Sequence, residues 1–286
     1  MIKRDSIFSS TKPILFLIAT PIGNLEEFSP RAISTIKQMD YIACEDTRNT
    51  GKLLSLFNLS KPLISCHEHN EIEASSHIIS LLKQGKKVAY VSDAGYPTLS
   101  DPGEKLVKAC LDNDINVSTI NGPSAAINAL SLSGLDSSHF YFEGFLPQKT
   151  SLQEKDLLDL ATRKETLIIY ESPHRIQKTL QILAKYLGSR KAVICRELTK
   201  IHEEIIRGDL LELSKIDEKT LIGEMVIVIE GKKEQTKEVS EEEITAYLKQ
   251  ELAKEKKSKD IVNSATILFS SNKNYIYSLL LKIKED

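Results

Sequence analysis

The chain has 286 residues, a length typical of about two domains, and 41% of them are apolar, which is enough for ordinary hydrophobic cores. The formal net charge is −2, so no global positive field would attract nucleic acid or an anionic membrane, and any nucleic-acid binding must come from a local patch. The four cysteines lie far apart without a C-x-x-C pair, which predicts buried free thiols of a reducing compartment; they are Cys44, Cys66, Cys110 and Cys195.

The first apolar run, Ile14–Ala19, is too short for the hydrophobic region of a signal peptide, and a Pro-Ile-Gly turn stands where a cleavage site would be. No stretch of the sequence approaches the roughly 18 apolar residues of a membrane span. We therefore expect a cytoplasmic protein with no membrane association.

Strand-like and helix-like segments alternate between residues 14 and 120, which is typical of βαβ units and a largely parallel sheet. The predicted strands are Ile14–Ala19, Tyr41–Cys44, Pro62–Ser65, Val88–Val91 and Asn116–Ile120. The predicted helices lie near Pro30–Met39, Thr47–Phe57, Glu71–Lys83 and Pro102–Asn113. For the last of these, the run Asp-Pro-Gly-Glu at 101–104 predicts a start with Asp101 as the N-cap and Pro102 in the first helical position.

A helical segment, Ser124–Ser131, and a polar break, Ser133–Ser138, predict the boundary between an N-terminal α/β domain at 13–135 and a second α/β domain at 136–232. The second set of predicted strands is Phe140–Glu143, Thr166–Tyr170, Ala192–Cys195, Ile205–Gly208 and Met225–Glu230, with helices near Leu152–Ala161 and Pro173–Leu187. A short loop-like stretch joins the last two strands, so part of this sheet is expected to be antiparallel. After Gly231 a Lys/Glu-rich segment with helical periodicity predicts a small helical C-terminal domain at 237–286.

Three turns rich in glycine and proline leave predicted strands of the first domain, at Thr20–Asn24, Ser92–Gly103 and Asn121–Ala125. Ligands of open α/β sheets bind at the carboxyl ends of strands, so these turns could line one pocket, although ordinary connections would have the same composition. They match neither a G-x-G-x-x-G nor a Walker pattern. Asp93, at the end of a strand, suits a cationic or hydroxyl-bearing ligand.

Charged residues follow two other strands of this domain. Glu45, Asp46 and Arg48 suit a rim that positions a polar substrate, or else a helix start with Asp46 as the N-cap and Arg48 in solvent. His67 and Glu68 lie in a loop that also carries His69, but two histidines at this spacing match no standard zinc site. We expect a substrate-facing polar loop and no metal.

Strands of the second predicted domain end in Tyr-Glu-Ser-Pro-His-Arg at 170–175 and Arg-Glu-Leu-Thr-Lys at 196–200. If the rims of the two sheets face each other, a local anion-binding surface results, formed by Arg48, Lys149, Arg175, Arg196 and Lys200. Scattered surface salt bridges would explain any one of these cations equally well.

Together these segments resemble one family. The motifs are L-F-L-I-A-T-P-I-G-N-L at 15–25, A-C-E-D-T-R at 43–48, S-D-A-G-Y-P-T-L-S-D-P-G at 92–103, N-G-P-S-A at 121–125, F-E-G-F-L-P at 142–147, Y-E-S-P-H-R at 170–175, R-E-L-T-K at 196–200 and G-E-M-V-I-V at 223–228. In this order they are similar to the ribosomal RNA small-subunit methyltransferase I family of the tetrapyrrole methylase superfamily, and the tail resembles that family's helical domain more weakly.

The resemblance implies a two-domain tetrapyrrole-methylase-like α/β fold, with a parallel first sheet, a mixed second sheet and a small helical appendage. It implies a homodimer that binds S-adenosylmethionine between the domains and methylates the ribose 2′-oxygen of a cytidine in the decoding region of 16S rRNA, free or in the 30S subunit. By position in the motifs, cofactor contacts would fall on Pro21, Asp93, Ala94, Tyr96, Ser124, Ala125, Tyr170 and Glu224.

Methylation of a hydroxyl needs alignment and a proton acceptor, but no metal. The candidate acceptors, among which the sequence does not choose, are Glu45, Asp46, His67, Glu68 and Glu171. Phosphates would be held by the five cations named above. Tyr96 stands where the family usually has Thr, Asn121 stands where it usually has Pro, and Gln153 and Lys155 stand where an Arg usually follows F-L-P.

Two alternatives remain. A methylase of a corrin precursor belongs to the same superfamily, but its first turn is usually G-x-G-P-G-D, whereas this chain has A-T-P-I-G-N. A non-catalytic RNA- or ribosome-binding protein is the alternative from another class.

Overall fold

A computed structural model describes Ile7, Ser9 and residues 11–233, 240–254, 256–269 and 271–285. The chain divides into two compact units, Met1–Lys232 and Lys233–Asp286. In the described residues, the first unit contains two five-stranded sheets and the second contains three helices. The predicted α/β class, with one parallel and one mixed sheet and C-terminal helices, is confirmed. The predicted boundary between 135 and 136 stays a prediction.

The first sheet is entirely parallel and has the strand order β3-β2-β4-β1-β5. Its strands are β1 (Ile14–Ile18), β2 (Tyr41–Cys44), β3 (Leu63–Ser65), β4 (Val88–Val91) and β5 (Asn116–Ile120). All residues of the central β4 are buried, as expected for a strand covered on both faces. In register, Ile18 pairs with both Val91 and Ile120, so the turns after β4, β1 and β5 leave the same sheet edge side by side.

Helices cover both faces of this sheet. They are α1 (Pro30–Gln38), α2 (Thr47–Leu56), α3 (Glu71–Lys83) and α4 (Glu104–Asp112). Ile78 of α3 and Leu106 of α4 pack with Tyr90 on one face. Ile36 of α1 and Leu54 of α2 belong to the core on the other face. The sheet is therefore a rigid platform whose carboxyl edge carries the turns.

The predicted start of α4 is wrong. Asp101 is not its N-cap, because the helix begins at Glu104 and Gly103 occupies the cap with φ +125°. The cap comes from α3: Oε1 of Glu71 accepts hydrogen bonds from the backbone amides of Gly103 (3.0 Å), Lys105 (2.8 Å) and Leu106 (3.2 Å). A buried carboxylate thus satisfies the free amides of the first turn, and the Asp101 side chain is not needed there.

The second sheet is mixed and has the order β6-β7-β10-β8-β9. Its strands are β6 (Phe140–Phe145), β7 (Thr166–Glu171), β8 (Lys191–Arg196), β9 (Glu204–Asp209) and β10 (Met225–Ile229), and its helices are α6 (Thr150–Thr162), α7 (Ile176–Leu187) and α8 (Leu210–Leu213). Strands β6 and β7 are parallel and the other pairs are antiparallel. The stretch between β9 and β10 is not a simple loop, because it contains α8, and the two strands are not neighbours. The antiparallel pairs arise because β9 follows β8 along the chain and folds back beside it, and because β10 inserts between β7 and β8.

Helix α5 (Ala125–Ser133) connects the two sheets. It follows β5 of the first sheet but packs on the second, where Ala129 and Leu130 join a core with Val193 and Val226. The turn between β5 and α5 is therefore anchored from both sides.

The second unit consists of α9 (Glu241–Ala253), α10 (Ser258–Leu268) and α11 (Lys273–Glu285). Its own core includes Leu248, Ile261, Ala265 and Ile276. Residues 237–239, at the start of the predicted C-terminal domain, lie outside the described residues.

All four cysteines are free and buried, as predicted. Burial raises the pKa of the Cys66 thiol to about 12 and that of Cys110 to about 11, so these thiols stay protonated at neutral pH. Among the described residues, no helix is long and apolar enough to cross a membrane.

Candidate functional site

Both sheets of the first unit contribute to a cavity of about 320 Å³, a volume within the range of small-molecule sites. Its wall comes from the turns after β1, β4 and β5, from the ends of β6, β7 and β8, and from the start of β10. The lining residues are Ile22, Ala94, Gly95, Tyr96, Leu99, Ser100, Asp101, Ser124, Ala125, Phe145, Tyr170, Glu171, Ser172, Pro173, Cys195, Leu198, Glu224, Met225 and Val226.

The loop after β4 forms much of this wall in an unusual backbone conformation. Thr98 and Ser100 have φ of +76° and +62°, a region that costs about 1–3 kcal/mol for each side-chain-bearing residue. Backbone hydrogen bonds in both directions between Thr20 and Gly95 tie the loop to the turn after β1. The Ser92 hydroxyl donates to the Gly95 carbonyl at 2.9 Å. The surrounding structure therefore holds this loop in one shape.

Two of the positions that depart from the family pattern contact each other. The Tyr96 hydroxyl donates to Oδ1 of Asn121 at 3.5 Å and accepts the amide of Gly122 at 3.3 Å. Gly122 has no room for a side chain, because a Cβ there would lie 2.9 Å from that of Ala19. Tyr96 thus ties the loop after β4 to the turn after β5.

Three carboxyl groups interact at the edge of the first sheet, and Asp101 is the one in the cavity wall. Burial, reinforced by Glu45 and Asp93, raises the pKa of Asp101 to about 7. Burial and then Asp93 raise the pKa of Glu45 as well. Oδ2 of Asp93 accepts a hydrogen bond from Asn49 at 2.7 Å. This edge therefore has a negative potential that favours a cationic ligand.

Asp101 is the site residue that sequence reasoning missed. The run Asp-Pro-Gly-Glu predicts a helix cap at this position, an interpretation that leaves the Asp101 carboxyl group no chemical role. The signal that could have found it was its position in the same long loop as Asp93, at the carboxyl end of a buried strand.

Strand β7 supplies the opposite wall. The Tyr170 hydroxyl accepts the amide of Ala126 at 3.1 Å, and its ring packs edge-on against Phe142 and Phe145. This contact fixes the first turn of α5 against the second sheet.

Glu171 is 2% exposed, and its carboxylate is already occupied. It accepts the amide of Ser172 at 2.8 Å and the Thr179 hydroxyl at 2.6 Å, and Nε of Arg175 lies 3.4 Å from it. These contacts connect β7 to α7, so Glu171, although predicted as a proton acceptor, is held by donors on several sides.

Six of the eight residues predicted to contact the cofactor line the cavity: Ala94, Tyr96, Ser124, Ala125, Tyr170 and Glu224. The other two, Pro21 and Asp93, directly precede the lining residues Ile22 and Ala94. The structure therefore brings the predicted cofactor set to one place, and the contacts themselves remain a prediction.

The other predicted proton acceptors lie outside the cavity wall. Asp46 is the N-cap of α2, and its hydrogen bonds and ion pair with Arg48, at 2.6 Å, hold the pKa of its carboxyl well below the usual range. The helix-start interpretation of this segment is thus confirmed, with the Arg48 side chain 84% exposed. Glu68 is exposed, and Nδ1 of the His67 ring is buried without a partner among the described residues. In the described part of the chain, no three His, Cys, Asp or Glu residues could hold a metal.

Four of the five predicted phosphate-binding cations are engaged within the protein, Arg48 with Asp46 as described above and three others as follows. Arg175 donates to the Leu146 carbonyl, besides its approach to Glu171. Arg196 pairs with Glu204 at 2.9 Å, and Lys200 contacts both Glu197 (2.9 Å) and Glu224 (2.7 Å). Lys149 is exposed at the N-cap of α6. Surface salt bridges, the alternative interpretation of these cations, therefore account for part of the predicted phosphate-binding set.

The fold and this arrangement agree with comparisons to known proteins. The family model of the Tetrapyrrole (Corrin/Porphyrin) Methylases matches residues 15–214. Two solved structures share the fold at about 15% identity: the methyltransferase CobJ, with a TM-score of 0.59, covering 77% of this chain and 95% of that one, and uroporphyrin-III-C-methyltransferase from Thermus thermophilus, with a TM-score of 0.54, covering 77% and 94%.

Curated relatives are much more similar in sequence. A protein of Bacillus subtilis named ribosomal RNA small subunit methyltransferase I is 41% identical, over 97% of this chain and 98% of its own length. A protein of the same name from Synechocystis is 44% identical, over 84% and 88%. The chain therefore belongs to the tetrapyrrole methylase family and, within it, to the ribosomal RNA small subunit methyltransferase I group. Members of this family are methyltransferases.

Proposed function

We propose that this protein transfers a methyl group from S-adenosylmethionine to the ribose 2′-oxygen of a cytidine in the decoding region of 16S rRNA. The observation that carries the proposal is the cavity formed by the three family turns and the second sheet, in a chain 41% identical over nearly its whole length to a relative named for rRNA methylation. The site and the sequence relationship thus support the same activity.

The cavity suits S-adenosylmethionine in size and chemistry. Its apolar wall, with Leu99, Leu198 and Val226, can cover an adenine ring, while the hydroxyl groups of Ser100 and Ser124 in the same wall can offer hydrogen bonds. The carboxyl groups beside it favour the positive charge of a sulfonium and an amine. When bound, this cofactor supplies an activated methyl group.

The residues of the chain then have to align the ribose hydroxyl of the RNA for in-line attack on the methyl group. They also have to neutralise the charge of the RNA phosphates. Among the five predicted cations, Arg48 and Lys149 are the exposed ones, and we assign the first phosphate contacts to them. To bind phosphate, Arg48 would release Asp46, and Arg175, Arg196 and Lys200 would likewise exchange their present partners. Because such contacts release counterions, RNA affinity would fall steeply with added salt.

The test uses 30S subunits and deproteinised 16S rRNA from cells lacking this protein, each incubated with S-adenosylmethionine that carries a labelled methyl group. Mass mapping of the RNA should find a single 2′-O-methylcytidine in the decoding region. Binding to subunits without transfer of label would favour a non-catalytic ribosome-binding protein. A parallel incubation offers a corrin precursor, and label that enters this precursor but no RNA would favour the other branch of the superfamily.

The resemblance also suggests a homodimer in the cytoplasm, and both belong to this proposal. Light scattering during gel filtration measures the first, and a mass of about twice 32.1 kDa is the expected result. Fractionation of cells tests the second.

A further inference from the structure

Asp101 is an acid in the cavity wall that the fold does not use. It ends the strained loop after β4, where the following helix takes its cap from Glu71 instead. Among the described residues, none donates a hydrogen bond to its carboxyl group. An acid that lines a cavity without a structural partner is available for chemistry.

The groups that interact with Asp101 come from both sheets, and none of those described is a cation. Glu45 follows β2 and Asp93 follows β4. Burial, together with the negative charge of Asp101, raises the pKa of Tyr90 in β4 and of Tyr170 in β7. Burial and the two acids raise the pKa of Asp101 to about 7. A carboxyl group that titrates near the working pH is well matched to proton transfer.

The rival acids are less suitable. The carboxylate of Glu171 accepts hydrogen bonds from Ser172 and Thr179. Asp46 is paired with Arg48, which keeps its carboxylate a weak base. Glu45 does not line the cavity.

We propose that Asp101 accepts the proton of the attacking ribose hydroxyl, an inference that rests on the function proposed above. As the ribose oxygen forms its bond to the methyl carbon, the O–H bond breaks and the proton passes to the Asp101 carboxylate. The bond between methyl carbon and sulfur breaks, and its electron pair stays on sulfur. The proton returns to solvent after the products leave.

Single-turnover methylation of unmethylated 30S subunits between pH 5.5 and 9 tests this role. The wild-type rate should rise with pH around a midpoint below the pKa of about 7 that Asp101 has in the ligand-free protein, because only the ionised carboxyl accepts a proton and the bound sulfonium favours that form. Asp101→Asn should be slower by roughly 10²- to 10⁴-fold, and its rate should no longer rise with pH in this way. Asp101→Glu should be slower than wild type, but its rate should still rise with pH. The matched control Asp112→Asn, on the exposed side of α4, should behave as wild type.

Calorimetry supplies a readout that does not depend on turnover. S-adenosylmethionine is titrated at pH 7 in two buffers of different ionisation enthalpy, which counts the protons released. A nearby cation lowers the pKa of a half-protonated acid, so wild type should release a fraction of a proton and Asp101→Asn should release less. The affinity of Asp101→Asn should stay within about tenfold of wild type, which also shows that the variant is folded.

Three results would overturn the proposal: an unchanged rate and pH profile in Asp101→Asn, an unchanged proton release, or a loss of cofactor affinity large enough to explain the lost rate. If wild type transfers no methyl group to RNA, the proposed function fails, and the proton acceptor fails with it. Active wild type beside equally active Asp101→Asn rejects the proton acceptor alone.

Discussion

At the residue scale, Asp101 should make the protein less stable as the pH rises. Its folded-state pKa, about 7, lies above the ordinary value of 3.8, so the folded protein binds the proton more tightly than the unfolded chain. Stability is therefore lost as the pH rises from about 4 through 7, by on the order of 1 kcal/mol between pH 5 and 7 once solvent screening of this half-buried group is allowed for.

Asp101→Asn removes this ionisation, so its gain in stability over wild type should be larger at pH 8 than at pH 5. Urea denaturation at the two pH values measures it, with Asp112→Asn as the control. An equal gain at both pH values would show that Asp101 ionises as easily in the folded protein as in the unfolded one. A gain in stability together with lost turnover is the behaviour expected of an active-site acid.

At the scale of elements, the junction of α3 and α4 depends on one buried side chain. Glu71→Ala would leave the amides of Gly103, Lys105 and Leu106 without their acceptor, at a cost on the order of 1–3 kcal/mol. Thermal unfolding should show the loss, whereas Glu73→Ala, exposed on the same helix, should change the midpoint little. Similar midpoints for both variants would mean that water or Asp101 takes over the cap.

The contact between two turns gives a second prediction at this scale. Tyr96→Phe removes the hydroxyl that bonds Asn121 and Gly122, so the turn after β5 should loosen and cofactor affinity should fall about three- to tenfold. Calorimetry measures this against Tyr275→Phe, which loses a hydroxyl bonded to Glu241 in the second unit. An unchanged affinity in Tyr96→Phe would show that the turn is held without this contact.

Local pattern was enough to predict most strands and helices, because apolar periodicity and turn residues are read within a few positions. It placed the turns after β1, β4 and β5 at one sheet edge, since neighbouring parallel strands end together. Local pattern could not predict the cap of α4, because the capping residue, Glu71, lies some thirty residues earlier in the chain. For this reason the sequence wrongly predicts Asp101 as the helix cap. The insertion of β10 between β7 and β8 was equally invisible, because antiparallel partners far apart in sequence leave no local signal.

At the scale of the whole molecule, every residue that lines the cavity belongs to the first unit, and the second unit has its own core. A chain that ends at Lys232 should therefore fold and bind S-adenosylmethionine with the affinity of the full chain. The removed segment includes Lys254, Lys256, Lys257 and Lys259, a cluster suited to phosphate contacts, although Lys254 and Lys256 also pair with Glu251.

We expect the truncated chain to methylate 30S subunits more slowly at limiting subunit concentration and to approach the full-length rate at saturation, because docking is weakened while the chemistry is retained. Initial rates over a range of subunit concentrations, with cofactor affinity from calorimetry, separate the two effects. Full activity at limiting concentration would exclude a docking role for the second unit. Aggregation or lost cofactor binding would instead show that the first unit cannot fold alone, and that the two separate cores depend on each other for stability.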